Sequence, residues 1–298
     1  MFSSQKSKEQ LIGQTLNQFW GYAGFHSVQK EIIFSILDGN DTLALLPTGG
    51  GKSLCYQLPA LVLEGTCLVI SPLLALMRDQ VDALQSRGIE AEFLSSELDE
   101  FDEESIYNRC KNGLVKILYV SPERLQNQLF IRSMQDIDIS FIAVDEAHCI
   151  SEWGQDFRPS YRNIKIFRSE FKNVPCLALT ATATHKVEDE IIQKLGLHRP
   201  NIYKKSFNRS NLNIILENTS DKYNRILQFL RQNSASGIIY TRTRRDAEEL
   251  SHFIKQNNFA NIDYFHAGLN SADKEKLQKR WLSSRYHVLV STNAFGMG

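Results

Sequence analysis

Short apolar runs rich in β-branched residues alternate with amphipathic stretches along the first part of the chain. Each run is typical of a strand that is buried on both faces. The predicted strands are DTLALL (41–46), TCLVIS (66–71), VKILYVS (115–121), ISFIAVD (139–145) and PCLALT (175–180). Stretches between them, such as SPLLALMRDQVDALQSRG (71–88) and THKVEDEIIQKLG (184–196), have helical periodicity and end at glycine. This alternation predicts an α/β fold, in which helices flank a parallel sheet.

A second, shorter unit follows SFNRSN (206–211), a polar segment without periodicity. We place the domain boundary there, which gives domains 1–206 and 207–298. The strand-like runs of the second unit are NLNIIL (211–216), SGIIYT (236–241) and HVLVST (287–292). Its helical stretches are DKYNRILQFLRQ (221–232), RRDAEELSHFIKQ (244–256) and SADKEKLQKRWL (271–282). With so few strands, the second unit is predicted to be partial beside the first.

The charge balance gives no field that would attract an anionic polymer, since the chain has 34 basic and 34 acidic residues. Residues 1–200 carry 19 basic and 26 acidic side chains, whereas residues 201–298 carry 15 and 8. The acidic stretch EAEFLSSELDEFDEE (90–104) is predicted to be a solvated surface segment. Any nucleic acid must therefore be held by local patches.

The five cysteines and the N-terminus indicate a cellular compartment. The cysteines lack metal-ligand spacing and are predicted to be reduced, buried thiols of a cytosolic protein. The segment MFSSQKSKEQ has no apolar core of a signal peptide, and no apolar run approaches the length of a membrane span. We therefore expect a cytoplasmic protein without a membrane partner.

A glycine-rich stretch, LPTGGGKS (46–53), follows the first predicted strand and opens a helix. The residues expected to cradle phosphates are Thr48, Gly49, Gly50, Gly51, Lys52 and Ser53. Backbone N–H groups in such a loop and the positive end of the helix dipole bind phosphate. Lys52 would meet the β- and γ-phosphates, and the Ser53 hydroxyl would ligate magnesium. The strict pattern has glycine where this chain has Leu46, so the alternative is a glycine-rich turn with a chance Lys-Ser pair.

The acid pair of VDEAH (144–148) ends another predicted strand. Asp145 can hold magnesium there, and Glu146 can polarise an attacking water. A surface acid pair is the alternative for this motif in isolation. Because both motifs follow buried strands in the expected order, they indicate a nucleoside triphosphate site that uses Mg²⁺.

Aromatic and arginine side chains interleave in AHCISEWGQDFRPSYR (147–162), directly after the acid pair. They are Trp153, Phe157, Arg158, Tyr161 and Arg162. Bases can stack on the rings while guanidinium groups meet phosphates, which suits single-stranded nucleic acid. The alternative is a loop whose rings are buried in the core.

Taken in order over nearly the whole chain, these stretches resemble the RecQ-type DNA helicases of helicase superfamily 2. The matching stretches are FWGYAGFHSVQKEII (19–33), LPTGGGKSLCYQLPA (46–60), VISPLLALMRDQV (69–81), YVSPERL (119–125), LTATAT (179–184), GIIYTRTRRDAEEL (237–250), YFHAGL (264–269) and STNAFGMG (291–298). The most specific is DEAH followed by CISEWGQDFRPSY (149–161), where RNA helicases are not similar. The resemblance implies two RecA-like domains, the second truncated.

The resemblance also implies roles for single residues. Gln29 would read the adenine edge beside Tyr22 and Phe25, and His26 stands where the family usually has arginine. The implied catalytic residues are Lys52, Asp145, Glu146 and His148. The residues that would sense single-stranded DNA and trigger hydrolysis are Trp153, Phe157 and Arg158.

His148, Thr180 and Thr182 would couple the nucleotide state to DNA contact in the same comparison. The residues alone favour plainer readings, a satisfied core histidine and threonines that cap a helix. RTRRD (242–246) would lie near DNA by resemblance, against a solvated helix start on sequence alone. Phe295 is predicted to belong to the core.

The resemblance implies an ATP-driven DNA helicase that moves 3′ to 5′, with ATP and Mg²⁺ as cofactors. Its partners would be single-stranded DNA and duplex junctions, in DNA repair or recombination, and in a bacterium it would be associated with the nucleoid. The alternatives are a nucleotide-gated single-stranded DNA-binding module without useful catalysis, and an RNA helicase.

Family members continue past GMG to a QxxGRAGR motif, whose arginine contacts the γ-phosphate, and then to zinc-binding and winged-helix modules. The resemblance therefore leads us to expect that this chain is the front portion of a helicase. Such a chain would bind ATP–Mg²⁺ and turn it over slowly, since an arginine finger contributes about 10³- to 10⁵-fold in related hydrolases.

Overall fold

The computed structural model describes residues 5–26, 28–95, 98–153, 156–181, 183–205, 212–283 and 287–295, without the side chains of residues 5, 6 and 271. The chain divides into two compact units, Met1–Ser210 and Asn211–Gly298. The predicted boundary at 206–211 lies outside the described residues.

A parallel sheet of seven strands forms the centre of the first unit in the described part of the chain. Its strands are β1 (Thr42–Leu45), β2 (Thr66–Ile70), β3 (Ala91–Leu94), β4 (Ile117–Val120), β5 (Ile139–Val144), β6 (Cys176–Thr180) and β7 (Asn201–Lys204). They lie in the order β3-β4-β2-β5-β6-β1-β7. The ends of β1 and β5 therefore flank the end of β6, which places the glycine loop and the acid pair at one edge of the sheet.

Helices cover both faces of this sheet. They are α1 (Gln5–Trp20), α2 (Gln29–Leu37), α3 (Leu54–Val62), α4 (Leu74–Gln85), α5 (Glu100–Lys111), α6 (Gln128–Gln135), α7 (Asn163–Glu170) and α8 (His185–Leu195). Successive strand residues point to opposite faces. Leu68 and Ile70 accordingly pack with α5 to α8, whereas Cys67 and Val69 pack with α2 to α4.

The second unit has a parallel three-stranded sheet in the order β8-β10-β9 within its described residues. Its elements are α9 (Lys222–Gln232), β8 (Gly237–Tyr240), α10 (Arg244–Gln256), β9 (Ile262–Phe265), α11 (Ser271–Ser283) and β10 (Val288–Ser291). A small core joins α9 and α10 to the sheet, including Leu227, Leu250 and Val290. Phe295 packs edge-on against the rings of Phe265 and Trp281.

The prediction of a solvated surface segment at 90–104 is confirmed for Glu90 and for most of residues 99–104, which are exposed, but it is wrong for Ala91–Leu94. Ala91–Leu94 forms strand β3, with both end residues buried, and the acidic residues after it open helix α5. The Asp99 side chain caps that helix by accepting from the Asp102 N–H. Acidic side chains are favoured at a helix N-terminus because they face the positive end of its dipole. The acidic residues after β3 therefore mark the N-terminus of helix α5.

The strand predicted at 211–216 is also wrong for its described residues, 212–216, which are not in a strand. Ile214 is 90% and Leu216 97% exposed. Strand propensity depends on packing against neighbours, and these side chains have little of it. Conversely, β3, β7 and β9 were not predicted as strands.

The helix predicted at 184–196 is confirmed as α8, and Gly196 ends it in the left-handed conformation. The Thr184 side chain, for which no capping role was predicted, caps the helix by accepting from the Val187 N–H. The five cysteines are free and buried. Among the helices that the structure describes, none is long and apolar enough to cross a membrane.

Candidate functional site

The glycine loop joins the end of β1 to the start of α3. Gly49 and Gly51 have φ of 76° and 74°, a left-handed conformation that glycine adopts without strain. The Gly50 N–H donates to the Pro47 carbonyl at 2.8 Å, which closes a tight turn. The loop therefore stands at a helix N-terminus, as a phosphate-binding loop requires.

Gln29 is tied to this loop. Its Nε2 donates to the carbonyls of Gly51 at 3.2 Å and Gly50 at 3.4 Å, and its Oε1 accepts from the His26 N–H at 2.8 Å. The side chain is buried. The amide assigned by resemblance to the adenine edge thus already holds the phosphate loop, and adenine reading stays a prediction.

Replacing Gly51 by Ala is expected to destabilise the loop, because a Cβ there would meet Gln29 Nε2 at 2.1 Å and φ is positive. Gly39→Ala is the matched control, since its φ is +78° but nothing lies within 4 Å of the added Cβ. The strain of positive φ should cost about 1 kcal/mol in each variant. In urea unfolding, only Gly51→Ala should lose clearly more than that, and equal losses would contradict the contact with Gln29.

A cavity of about 480 Å³ lies beside the loop in the first unit. Its lining residues are Trp20, Tyr22, His26, Gln29, Gly49, Gly50, Gly51, Ser53, Leu54, Gln57, Arg87 and Lys205. Trp20, Arg87 and Lys205 were not predicted as site residues, because nothing in their local pattern points to a ligand. Phe25 packs instead against an apolar cluster that includes Ile12 and Ile33.

The acid pair follows β5. Asp145 is 9% exposed. Burial, followed by the neighbouring Glu146 charge, raises the pKa of the Asp145 carboxyl to about 6, against the opposing effect of Lys52. A cation bound beside this carboxyl would stabilise its ionised form, which burial disfavours. The Asp145 carboxylate and the Ser53 hydroxyl are the oxygen ligands that Mg²⁺ prefers, so these residues fit magnesium.

Within the described residues, no group of three or more His, Cys, Asp or Glu side chains forms a metal site by itself.

Glu146 adopts a left-handed conformation with φ of 46°, which is uncommon outside glycine and typical of functional sites. His148 Nδ1 lies 3.3 Å from Glu146 Oε2 and 2.9 Å from Thr180 Oγ1. Burial raises the pKa of Glu146, but the hydrogen bond from His148 and the Lys52 charge outweigh it and lower that pKa. The Cys149 thiol and the Glu146 carboxylate raise the pKa of His148 to about 9.

Glu146 and His148 thus meet Thr180, which lies 32 positions after His148 in the sequence. Glu146 follows β5, Thr180 ends β6, and the His148 ring bridges them. Thr180 is fully buried and bonded to His148, so it does not cap a helix. The prediction for Thr182 lies outside the described residues.

The segment 147–162 that follows the acid pair, here called the aromatic loop, has one ring that is largely exposed to solvent. Trp153 is 66% exposed, and the Lys186 ammonium lies 3.2 Å from its ring centroid. Phe157 is half-buried, with the Arg162 guanidinium 5.4 Å from its ring centroid. The exposed Trp153 is available for stacking on a base.

Two other residues of this loop hold it in place. Tyr161 is fully buried, and its hydroxyl donates to the Asp145 carbonyl at 2.9 Å. Arg158 Nη1 donates to the Pro72 carbonyl at 2.7 Å. Tyr161 is therefore a core residue and does not stack on bases. The loop is bonded directly to the backbone of the acid pair.

In the second unit, the arginines of RTRRD are exposed. Arg245 pairs with Glu249 one turn along α10. This geometry matches a solvated helix start.

The family model of DEAD/DEAH box helicases matches residues 26–191, and that of the helicase conserved C-terminal domain matches residues 221–298. A Bacillus subtilis protein, probable ATP-dependent DNA helicase RecS, is 42% identical over 96% of this chain and 58% of its own length. ATP-dependent DNA helicase RecQ of Pasteurella multocida is 41% identical over 97% of this chain and 46% of its own. The chain therefore spans about half the length of these curated relatives.

Among solved structures, the helicase MrfA bound to DNA superposes with a TM-score of 0.74 at 15% identity. The alignment covers 97% of this chain and 45% of that one. At this identity the likeness concerns the fold. The expected fold of two RecA-like domains and the resemblance to RecQ-type helicases are both confirmed.

Proposed function

Because the chain belongs to the family of DEAD/DEAH box helicases, we propose that it acts as a RecQ-type DNA helicase, which couples ATP hydrolysis to 3′-to-5′ movement along DNA. One observation carries this proposal. The glycine loop and the acid motif meet at Thr180: the Leu46 N–H at the start of the loop donates to the Thr180 carbonyl at 3.1 Å, and His148 Nδ1 lies 2.9 Å from Thr180 Oγ1. Relatives that match nearly the whole chain are DNA helicases by name.

Different residues of the site would contact different parts of the nucleotide. The loop N–H groups and Lys52 bind the phosphates, and the aromatic Tyr22 lines the adjoining cavity where adenine would lie. Glu146, kept ionised by His148 and Lys52, polarises the attacking water. Ser53 and Asp145 would hold Mg²⁺, which when bound neutralises charge on the phosphates.

DNA would act through the aromatic loop. A base stacked on the exposed Trp153 ring would compete with Lys186, which now lies over it. Any shift of the loop would be transmitted to the acid pair, because the Tyr161 hydroxyl bonds the Asp145 carbonyl. This link supports hydrolysis that is stimulated by single-stranded DNA.

The test is ATP hydrolysis by the 298-residue chain with and without single-stranded DNA, beside Asp145→Asn and Trp153→Ala. We expect DNA to stimulate turnover, Asp145→Asn to abolish it, and Trp153→Ala to remove the stimulation while basal turnover remains. ATP binding without any turnover would instead favour a nucleotide-gated DNA-binding module.

A parallel comparison separates DNA from RNA as the partner. Binding to single-stranded DNA should exceed binding to RNA of the same sequence, and it should weaken as salt rises because phosphate contacts release counterions. Equal or tighter RNA binding would favour an RNA helicase. Strand separation with 5′-to-3′ polarity would refute the RecQ-type assignment.

A further inference from the structure

Another cavity of the first unit, of about 660 Å³, lies at the edge of the sheet opposite the glycine loop. Its lining includes Asp41 and Pro175, the residues directly before β1 and β6. Since β1 and β6 are parallel, both strands begin at this edge and end at the glycine loop and at Thr180. The rest of the lining comes from the ends of α7 and α8 and from the turns beside them. No residue proposed to bind nucleotide or magnesium belongs to it.

A buried ion pair forms part of this lining. The Asp41 carboxylate accepts from Arg168 Nη2 at 3.0 Å and from the His198 N–H at 2.7 Å. Arg168 Nη1 donates to the carbonyls of Leu195 at 2.7 Å and Gly196 at 2.9 Å. The pair therefore fixes the end of α8 against α7. It also neutralises the acidic side chain of the lining and bonds the carbonyls that would repel an anion.

Three further basic residues line the cavity, namely Lys165, Lys172 and Arg199. Lys165 Nζ donates to the Gln193 carbonyl at 3.2 Å, and an ammonium group has further hydrogens to donate. Lys172 and Arg199 are exposed and form no ion pair with the residues that the structure describes. Because the buried pair has no net charge, the lining carries an excess of three positive charges, with histidine counted as neutral.

The backbone at Arg199 is in the left-handed region, with φ of 43°. This conformation is uncommon for a residue other than glycine. The N–H of the preceding residue, His198, bonds to the buried Asp41, so the turn is held beside the ion pair. Strained backbone persists where the surrounding structure fixes it, and it is concentrated at binding sites. Here it keeps a cationic side chain in the lining of the cavity.

We propose that this cavity binds a compact diphosphate anion, of the class of inorganic pyrophosphate. Its volume lies within the range of about 300–1,000 Å³ that is typical of small-ligand pockets. Ammonium and guanidinium groups donate strong, charge-assisted bonds to phosphate oxygens, and the Asn40 and Asn173 side chains add amide donors. Two phosphate groups carry roughly three to four negative charges near pH 7, which matches the positive excess of the lining. The site is separate from that of the proposed function.

The experiment is a calorimetric titration of inorganic pyrophosphate into the Lys52→Ala chain in buffer without Mg²⁺. Lys52→Ala weakens phosphate binding at the glycine loop, so that the cavity can be measured by itself. We expect a single pyrophosphate per chain. Lys172→Gln and Arg199→Gln, each added to this background, should weaken its binding about tenfold, as for loss of a hydrogen bond to a charged group.

Arg132→Gln and Lys276→Gln are the matched controls, since each removes one positive charge from an exposed position outside the cavity. Both should leave pyrophosphate affinity unchanged. Arg199→Gln retains a side chain at the left-handed position, so it changes the charge and not the backbone strain. Thermal unfolding midpoints show whether each variant is folded, and Lys172→Gln carries the test if Arg199→Gln is not.

Three results would overturn the proposal. They are no binding of pyrophosphate in the Lys52→Ala chain, equal losses in cavity and control variants, and sulfate bound as tightly as pyrophosphate, which would mean an adventitious ion only. A short DNA duplex is the last probe. If Lys172→Gln and Arg199→Gln weaken duplex binding and leave pyrophosphate binding unchanged, the cavity contacts DNA phosphates and the diphosphate proposal fails. ATP hydrolysis tests the nucleotide site independently of all these outcomes.

Discussion

Replacing Asp41 by Ala is expected to cost about 3–5 kcal/mol of unfolding free energy in the first unit. Asp41 is buried directly before β1, and its carboxylate accepts two bonds from Arg168 Nη2, both at 3.0 Å. It also accepts from the backbone N–H groups of Cys176 at 2.8 Å and His198 at 2.7 Å. Removal leaves the Arg168 charge, with its side chain 11% exposed, without its carboxylate.

Asp38→Ala is the control, because Asp38 also pairs with a base, Lys8 at 2.8 Å, but is 55% exposed. Exposed pairs contribute about 0–1 kcal/mol. Urea unfolding followed by Trp20 and Trp153 fluorescence in a Trp281→Phe background reports on the first unit. Equal losses of unfolding free energy in the two variants would show that Asp41 does not stabilise the starts of β1 and β6.

The contacts of the Asp41 carboxylate show what the sequence pattern could not predict. Hydrophobic periodicity located the buried strands β1, β2, β4, β5 and β6, because burial on both faces leaves an unbroken apolar run. The edge strands β3 and β7 were missed, since β7 in particular is largely exposed and carries polar residues. The bond between Asp41 and Arg168 joins residues 127 positions apart, and no local pattern encodes such a contact.

The same limit applies to the site. Lys52, Asp145 and Glu146 could be nominated from the sequence, because phosphate and metal chemistry requires those residue types after buried strands; their roles stay predictions. The contacts that hold these residues in place could not be predicted from the sequence. Gln29 bonds to Gly51 across 22 positions and His148 to Thr180 across 32, and both contacts depend on how distant elements pack in the fold. Motifs thus nominate candidate reacting groups, and only the fold shows which residues contact them.

Replacing Glu146 by Gln is expected to lower ATP turnover about 10²- to 10⁴-fold, the usual contribution of a general base. Gln keeps the size of the side chain and an acceptor for His148, but it cannot take a proton from water. Nucleotide binding should stay close to that of the unaltered chain, because on the proposed function Lys52 and the loop N–H groups would bind the phosphates. Single-turnover hydrolysis and binding of a fluorescent ATP analogue measure the two effects separately.

Glu64→Gln, at an exposed position, is the matched control and should leave both quantities unchanged. Turnover that survives in Glu146→Gln would remove Glu146 from the role of base and leave its bond to His148 as its function. Loss of binding together with turnover would show that the negative charge at 146 stabilises the loop through Lys52. His148 and Lys52 both act to keep Glu146 ionised. We therefore expect Glu146→Gln to lose turnover and to retain nucleotide binding.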